Sequence, residues 1–211
     1  LLLVVIGLGA IFYVLSPIVF FQLRYAPLIK SRSFTSPIPD VLANSIVNLS
    51  GVDYARASNW FPAQPSVVKS NKSISSYLLA IPKLGIEEAI VSTVSDDLFK
   101  NLIHYGGSSL PGEKGNTVIL GHSTLPQLFN PKNYKTIFAT LHTIKTGDKV
   151  IIKVDGITYS YSIFNIKIVE PEDISVLEQQ YDDSYITLIT CTPPGTYWKR
   201  LIVKGRLDNL D

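Results

Sequence analysis

Apolar and polar positions are spread very unevenly along the chain. Leu1 to Leu23 carry no charge, and the first charged side chain is Arg24. At 1.5 Å per residue this run spans roughly 35 Å as a helix, against a bilayer core of about 30 Å. A transmembrane anchor is therefore expected over residues 1–23. The run is longer than the apolar region of a secretory signal, and Ile18-Val19-Phe20-Phe21 offers no Ala-x-Ala cleavage pattern, so the anchor is expected to stay attached. Residues 24–75 turn to Ser, Asn and Pro, with Pro27, Pro37, Pro39, Pro62 and Pro65, and read as a tether or appendage. A weak helical spacing (Val41, Leu42, Ser45, Ile46, Leu49) falls inside it. From residue 76 to 211 short apolar segments alternate with turn signals, the texture of a sandwich or barrel. Strands are predicted at 77–81, 88–91, 117–120, 149–154, 157–168, 185–190 and 200–206. Asp155-Gly156 joins two of them as a tight hairpin. Tyr134, Ile137, Phe138 and Leu141 share one face at 3.6-residue spacing and predict a short helix over 133–142. One or two helical turns are expected over 174–179. The count comes to about eight strands with one or two short helices, a mainly β chain folded as a closed or nearly closed barrel.

Composition narrows the function. The net charge of +2 comes from 19 basic and 17 acidic residues, a balance without the electrostatic footprint of a nucleic-acid binder. No second apolar run reaches membrane length, which excludes a polytopic transporter. The chain contains no Met and begins at Leu1, so residues are expected to precede it. Arg24, Lys30 and Arg32 follow the span and by themselves favour a cytoplasmic domain. An external domain then requires more positive charge before the span than after it. Asn48-Leu49-Ser50 and Asn71-Lys72-Ser73 match the short glycosylation pattern, which arises readily by chance. One cysteine permits no internal disulfide, and a lone external thiol is a liability unless it is used.

That thiol is Cys191. It ends the apolar run Ile186-Thr187-Leu188-Ile189-Thr190 and runs into Thr192-Pro193-Pro194-Gly195, which places it at a barrel mouth. A buried small hydrophobe is the competing reading. His122 holds the matching position after Thr117-Val118-Ile119-Leu120-Gly121; a turn histidine bonded to the backbone is the alternative there. His104 and His142 serve as controls, since neither is expected to end an apolar strand. Arg200 lies nine residues after Cys191 and opens the next strand, beside the cysteine, or else guards a sheet edge. The three types form a chemical set. A free thiol is only a few per cent thiolate at neutral pH. An imidazole can take its proton and return one to a leaving amine. A positioned guanidinium can stabilise the charge that builds on a carbonyl oxygen.

Tyr185-Ile-Thr-Leu-Ile-Thr-Cys191 resembles the Thr-Leu-x-Thr-Cys signature of sortases, the cysteine transpeptidases that attach proteins to the Gram-positive cell surface. Leu120-Gly-His122 resembles their histidine segment, and Thr190-Cys-Thr-Pro-Pro-Gly195 with Lys199-Arg200-Leu-Ile-Val resembles their cysteine-to-arginine loop and strand. Ile81-Pro-Lys-Leu-Gly-Ile86 resembles the segment that opens their barrel. The similarity covers roughly 76–207, and the four segments occur in the family's order. The resemblance implies an eight-stranded sortase barrel behind the anchor, on the outer side of a bacterial membrane. It implies cleavage of a Leu-Pro-x-Thr-Gly-like sorting signal between Thr and Gly through a thioacyl-enzyme. The acyl group would pass to an amine of a peptidoglycan precursor or a pilin. Cys191 would be the nucleophile, His122 the acid/base and Arg200 the carbonyl stabiliser; Thr190 would line the substrate site. Ser123 reads as a simple turn residue.

The short Cys191-to-Arg200 loop is most similar to housekeeping or class D/E members. No Asp-Pro-aromatic lid tripeptide is present. Asn59-Trp60-Phe61-Pro62 offers two aromatics before the barrel, expected to pack the tether onto the barrel rather than to act as a lid. No cofactor is expected. Glu87, Glu88, Asp96, Asp97, Glu170, Glu172 and Asp173 could supply oxygens to calcium, but they form no dense motif and read as solvated surface charge. Three alternatives stay open. A thiol endopeptidase would use water as the acceptor. A non-catalytic anchored β-domain would bury an unreactive Cys191 far from His122. A papain-like protease would place its cysteine at a helix start rather than a strand end.

Overall fold

The computed structural model describes residues 2–25, 27, 53–61 and 74–208. Both glycosylation-like tripeptides and the whole weak helical spacing Val41 to Leu49 of the tether lie outside those residues. Leu2–Arg24 is one α-helix (α1) of 23 residues, long and apolar enough to cross a membrane. Its uninterrupted apolar run leaves no polar face, so the helix presents apolar side chains on every side.

Eight strands follow: β1 (Ser76–Ile81), β2 (Ile86–Ser92), β3 (Leu102–His104), β4 (Gly115–Leu120), β5 (Lys149–Val154), β6 (Ile157–Val169), β7 (Ser184–Thr192) and β8 (Lys199–Leu207). They close into a barrel in the order β1-β2-β3-β4-β7-β8-β6-β5. β4 pairs with β7 in parallel, and β7 pairs with β8 antiparallel. These two pairings build the wall that carries the candidate chemistry.

Alternation along the strands divides the apolar side chains into two layers. Leu79, Ile81, Val91, Leu102, Ile119, Ile152, Ile163, Leu188, Leu201 and Val203 belong to one cluster, which fills the barrel. Val118, Leu120, Ile189, Cys191 and Ile202 belong to a second, with Ala57, Trp60, Phe61, Leu98 and Val176 from outside the sheet. The β4-β7-β8 wall is thus covered on both faces. That explains why all nine residues of β7 are buried and why its sequence reads as a continuous apolar run.

Seven of the eight strands fall where the pattern placed them, within a few residues at each end. β3 was not expected. It has three residues, too few for a period to register, and it ends at His104. A second histidine therefore does close a strand, contrary to the expectation. His104 differs from His122 in the face it occupies. Its Nδ1 lies 2.9 Å from the Tyr77 hydroxyl, among the residues that fill the barrel.

The helix expected over 133–142 is replaced by successive turns and a 3₁₀ turn at Leu141–Thr143. Ile137, Phe138 and Leu141 are buried as the spacing requires. However, the Phe138 N–H donates to the His122 carbonyl, and Ala139 and Leu141 bond three residues back. The Thr136 and Thr143 hydroxyls also donate to carbonyls three residues back, competing with the helical ladder.

Burial pushes the His104 pKa down to about 4, below the ordinary value of about 6.5. The unfolded chain therefore binds a proton that the folded chain excludes, and stability falls as pH drops from about 6.5 toward 4. His104→Gln should flatten the decline of the melting temperature across that window; an unchanged slope would contradict this assignment.

Candidate active site

The site lies on the outer face of the β4-β7-β8 wall rather than in the barrel lumen. Cys191 and Arg200 are directly opposed in the β7-β8 register, so their side chains emerge side by side on the same face. Arg200 Nη1 lies 3.6 Å from Cys191 Sγ. The same nitrogen donates to the carbonyls of Tyr197 (3.2 Å) and Lys199 (3.4 Å). Arg200 is 1% exposed, and among the described residues no carboxylate pairs with it.

His122 follows Leu120 by two residues and so continues the outward-facing series Val118, Leu120. The β4-β7 ladder ends at Leu120 opposite Ile189, followed by one more bond from Gly121 N–H to the Ile189 carbonyl. Gly121 has to be small: a Cβ there would lie 2.4 Å from the Phe138 ring and 2.7 Å from Leu102. This close packing draws the histidine segment tight against the barrel end. The His122 ring stacks on Phe99 (5.1 Å, 18°), and Lys135 Nζ sits 4.8 Å from the Phe99 ring centre. His122 Nε2 is buried without a hydrogen-bond partner among the described residues.

A separate segment, 53–61, closes over the group. Arg56 forms a bridge with Asp97 and an ion pair with Asp96 (2.9 Å). Ala57 N–H donates to the Asp96 carbonyl, and Leu98 N–H to that of Ala55. These contacts carry Trp60 edge-on to His122 (6.3 Å) and over the Arg200 guanidinium (5.1 Å). Tyr54 faces the same guanidinium at 5.8 Å and stacks on Tyr197 at 4.6 Å. Trp60 Nε1–H donates to the Tyr54 carbonyl, so the two rings are held as one unit.

Burial sets the protonation states. Burial raises the Cys191 thiol pKa to about 11, and Arg200 opposes the rise without cancelling it. Burial likewise lowers the His122 pKa; Asp53 raises it and Lys135 lowers it further. In this covered arrangement the thiol and the imidazole are both neutral at pH 7.

A sequence model of the sortase domain matches residues 79–208, which are β1 onward and contain Cys191, His122 and Arg200. The chain belongs to the sortase family. Sortase D of Bacillus subtilis is 32% identical over 135 residues, 62% of this chain and 63% of that protein. The chain thus spans a little under two thirds of that sortase. A structure of the Clostridium perfringens Sortase D5 transpeptidase is 28% identical with a TM-score of 0.54, covering 64% of this chain and 79% of that one. The pilus-related Sortase C of Group B Streptococcus is 32% identical with a TM-score of 0.56, covering 65% and 69%.

Within this sortase barrel the expected residues Cys191, His122 and Arg200 converge on one outer face. Arg206, six residues beyond Arg200, stands apart and pairs with Asp183 at 2.9 Å. Thr190 neighbours the cysteine, but it is 1% exposed and its hydroxyl donates to the Gly121 carbonyl at 2.7 Å. Among the described residues no group of three or more His, Cys, Asp or Glu side chains is arranged to hold a metal. Two contributors had no clear sequence signal, and a third had only a partial one. Phe99 and Tyr54 are aromatics in polar loops. Trp60 was visible as an aromatic before the barrel, and its contact with Arg200 emerges only from the fold.

Trp60→Ala should uncover the thiol and let its pKa fall. Each unit of fall raises the thiolate fraction at pH 7 about tenfold. Alkylation of Cys191 by a small reagent, followed by intact mass, should accelerate by about that factor or more. A rate equal to wild type would show that Trp60 does not shield the sulfur.

Proposed function

We propose that the chain is a sortase-type cysteine transpeptidase acting on a Leu-Pro-x-Thr-Gly-like sorting signal. The observation that carries the reading is Arg200 Nη1 at 3.6 Å from the Cys191 sulfur, buried and with no carboxylate partner among the described residues. An uncompensated buried cation is costly, and a thiolate or a developing oxyanion is the partner that would offset it.

With the cover displaced, the Cys191 thiol passes its proton to His122, and the resulting thiolate attacks the Thr carbonyl carbon. The carbonyl oxygen takes up the electron pair and is stabilised by the Arg200 guanidinium. The C–N bond to Gly breaks as His122 delivers a proton to the leaving nitrogen, leaving a thioester. An incoming amine attacks the thioester carbonyl, its proton passes to His122, the C–S bond breaks and the thiolate returns. The acceptor is an amine of the cell envelope, from a peptidoglycan precursor or a pilin lysine. The reading supplies no role for a cofactor. It places α1 in the membrane and the barrel on the extracytoplasmic side.

A non-catalytic β-domain fits the burial of Cys191 but leaves Arg200 against its sulfur, and His122 on the same outer face, unaccounted for. The deciding experiment offers a panel of quenched Leu-Pro-x-Thr-Gly-like peptides, with and without an amine, and follows the protein by intact mass. A thioacyl adduct lost in Cys191→Ala and turned over faster with amine supports transpeptidation. An adduct that turns over at the same rate with and without amine points to a thiol endopeptidase. No adduct with any peptide, together with an inert thiol even in Trp60→Ala, would overturn the catalytic reading. Arg200→Gln should lower kcat about 10²–10³-fold, the loss typical of an oxyanion-stabilising donor.

A further inference from the structure

His122 sits beyond the end of β4, on a stretch with no strand ladder of its own. Among the described residues no carboxylate pairs with its ring. In catalytic pairs the base is generally oriented by a third group on its other nitrogen. Here the orientation has to come from elsewhere.

The main chain around His122 is held by two hydroxyl side chains and one backbone amide in place of a ladder. The Gly121 carbonyl accepts from the Thr190 hydroxyl at 2.7 Å. The His122 carbonyl accepts from the Phe138 N–H at 3.0 Å. The Cys191 carbonyl accepts from the Ser123 hydroxyl at 2.7 Å. The two hydroxyl bonds run in opposite directions between the segments: Thr190, before the cysteine, reaches the residue before the histidine, and Ser123, after the histidine, reaches the cysteine itself. They extend the β4-β7 pairing past its last backbone bond, Gly121 N–H to Ile189 O.

We propose that Ser123, with Thr190, is a positioning residue that fixes the His122 main chain in register with Cys191. This rests on the transpeptidase reading and gives both residues new roles. Ser123 is more than a turn former, and Thr190 acts through its bond inside the wall instead of by touching substrate. Neither hydroxyl touches the reacting atoms. Their effect is on the distance and angle at which the imidazole meets the sulfur and the leaving nitrogen. A misplacement of about 1 Å at such a site can cost about 10²-fold in rate.

The test compares Ser123→Ala with Ser123→Thr, and Thr190→Val with Thr190→Ser, in the full chain. Each is assayed for peptide acylation and amine transfer and melted in parallel. Ser123→Ala should lose about tenfold to a hundredfold in kcat, with KM within about twofold of wild type. Ser123→Thr, which keeps a hydroxyl, should recover most of the loss. Thr190→Val should lose kcat in the same way, and Thr190→Ser should recover it. Wild-type kcat in both Ser123→Ala and Thr190→Val would overturn the proposal while leaving the transpeptidase reading intact. So would a loss confined to KM, or a loss that tracks the melting temperature and that the hydroxyl-bearing variants do not restore. A wild-type chain that acylates no peptide removes the reading and the proposal with it.

Discussion

A guanidinium buried to 1% exposure, with no carboxylate paired to it among the described residues, is the constraint on which this molecule turns. Arg200 lies against a thiol, two backbone carbonyls and the faces of two aromatic rings. Carbonyls and ring faces compensate a cation only in part. The barrel makes the arrangement possible, because the β7-β8 register opposes Cys191 and Arg200 directly and two pairings lock that register into a closed wall. A one-residue slip would send one of the two side chains into the lumen.

The cover over this pair has an electrostatic consequence. With Trp60 and Tyr54 in place, desolvation dominates, and both the thiol and the imidazole are held neutral. In the proposed reaction, displacing the rings would admit water and substrate together, so that the charged pair would form when a carbonyl is present to be attacked. The cover is attached through exposed groups, the Arg56–Asp96 ion pair among them, and exposed pairs are worth only about 0–1 kcal/mol. Its buried aromatics contribute more, by apolar area and by their contact with Arg200.

The barrel was legible because its strands are long enough to show a pattern and are punctuated by turn residues. β5 was placed to the residue, aided by Asp155-Gly156. β3 was invisible at three residues. The 133–142 segment carried the apolar spacing of a helix, while its threonines and the Phe138 amide bond elsewhere. The site was legible in its chemistry, as Cys191, His122 and Arg200 at strand ends, although the outer face was not foreseen. What fixes those groups is long-range. The bonds of Ser123 to residue 191, and of Arg56 to residue 96, leave no trace in local pattern. The contact of Trp60 with Arg200 is of the same kind.

In the proposed mechanism Arg200 stabilises negative charge at Cys191. The pH dependence of Cys191 alkylation tests it directly, since the chain has one cysteine and the adduct mass is unambiguous. The measurement compares Trp60→Ala with Trp60→Ala/Arg200→Gln, so that the reagent reaches the sulfur in both. The midpoint should move to higher pH when the guanidinium is removed. An unchanged midpoint, or one that falls, would contradict it.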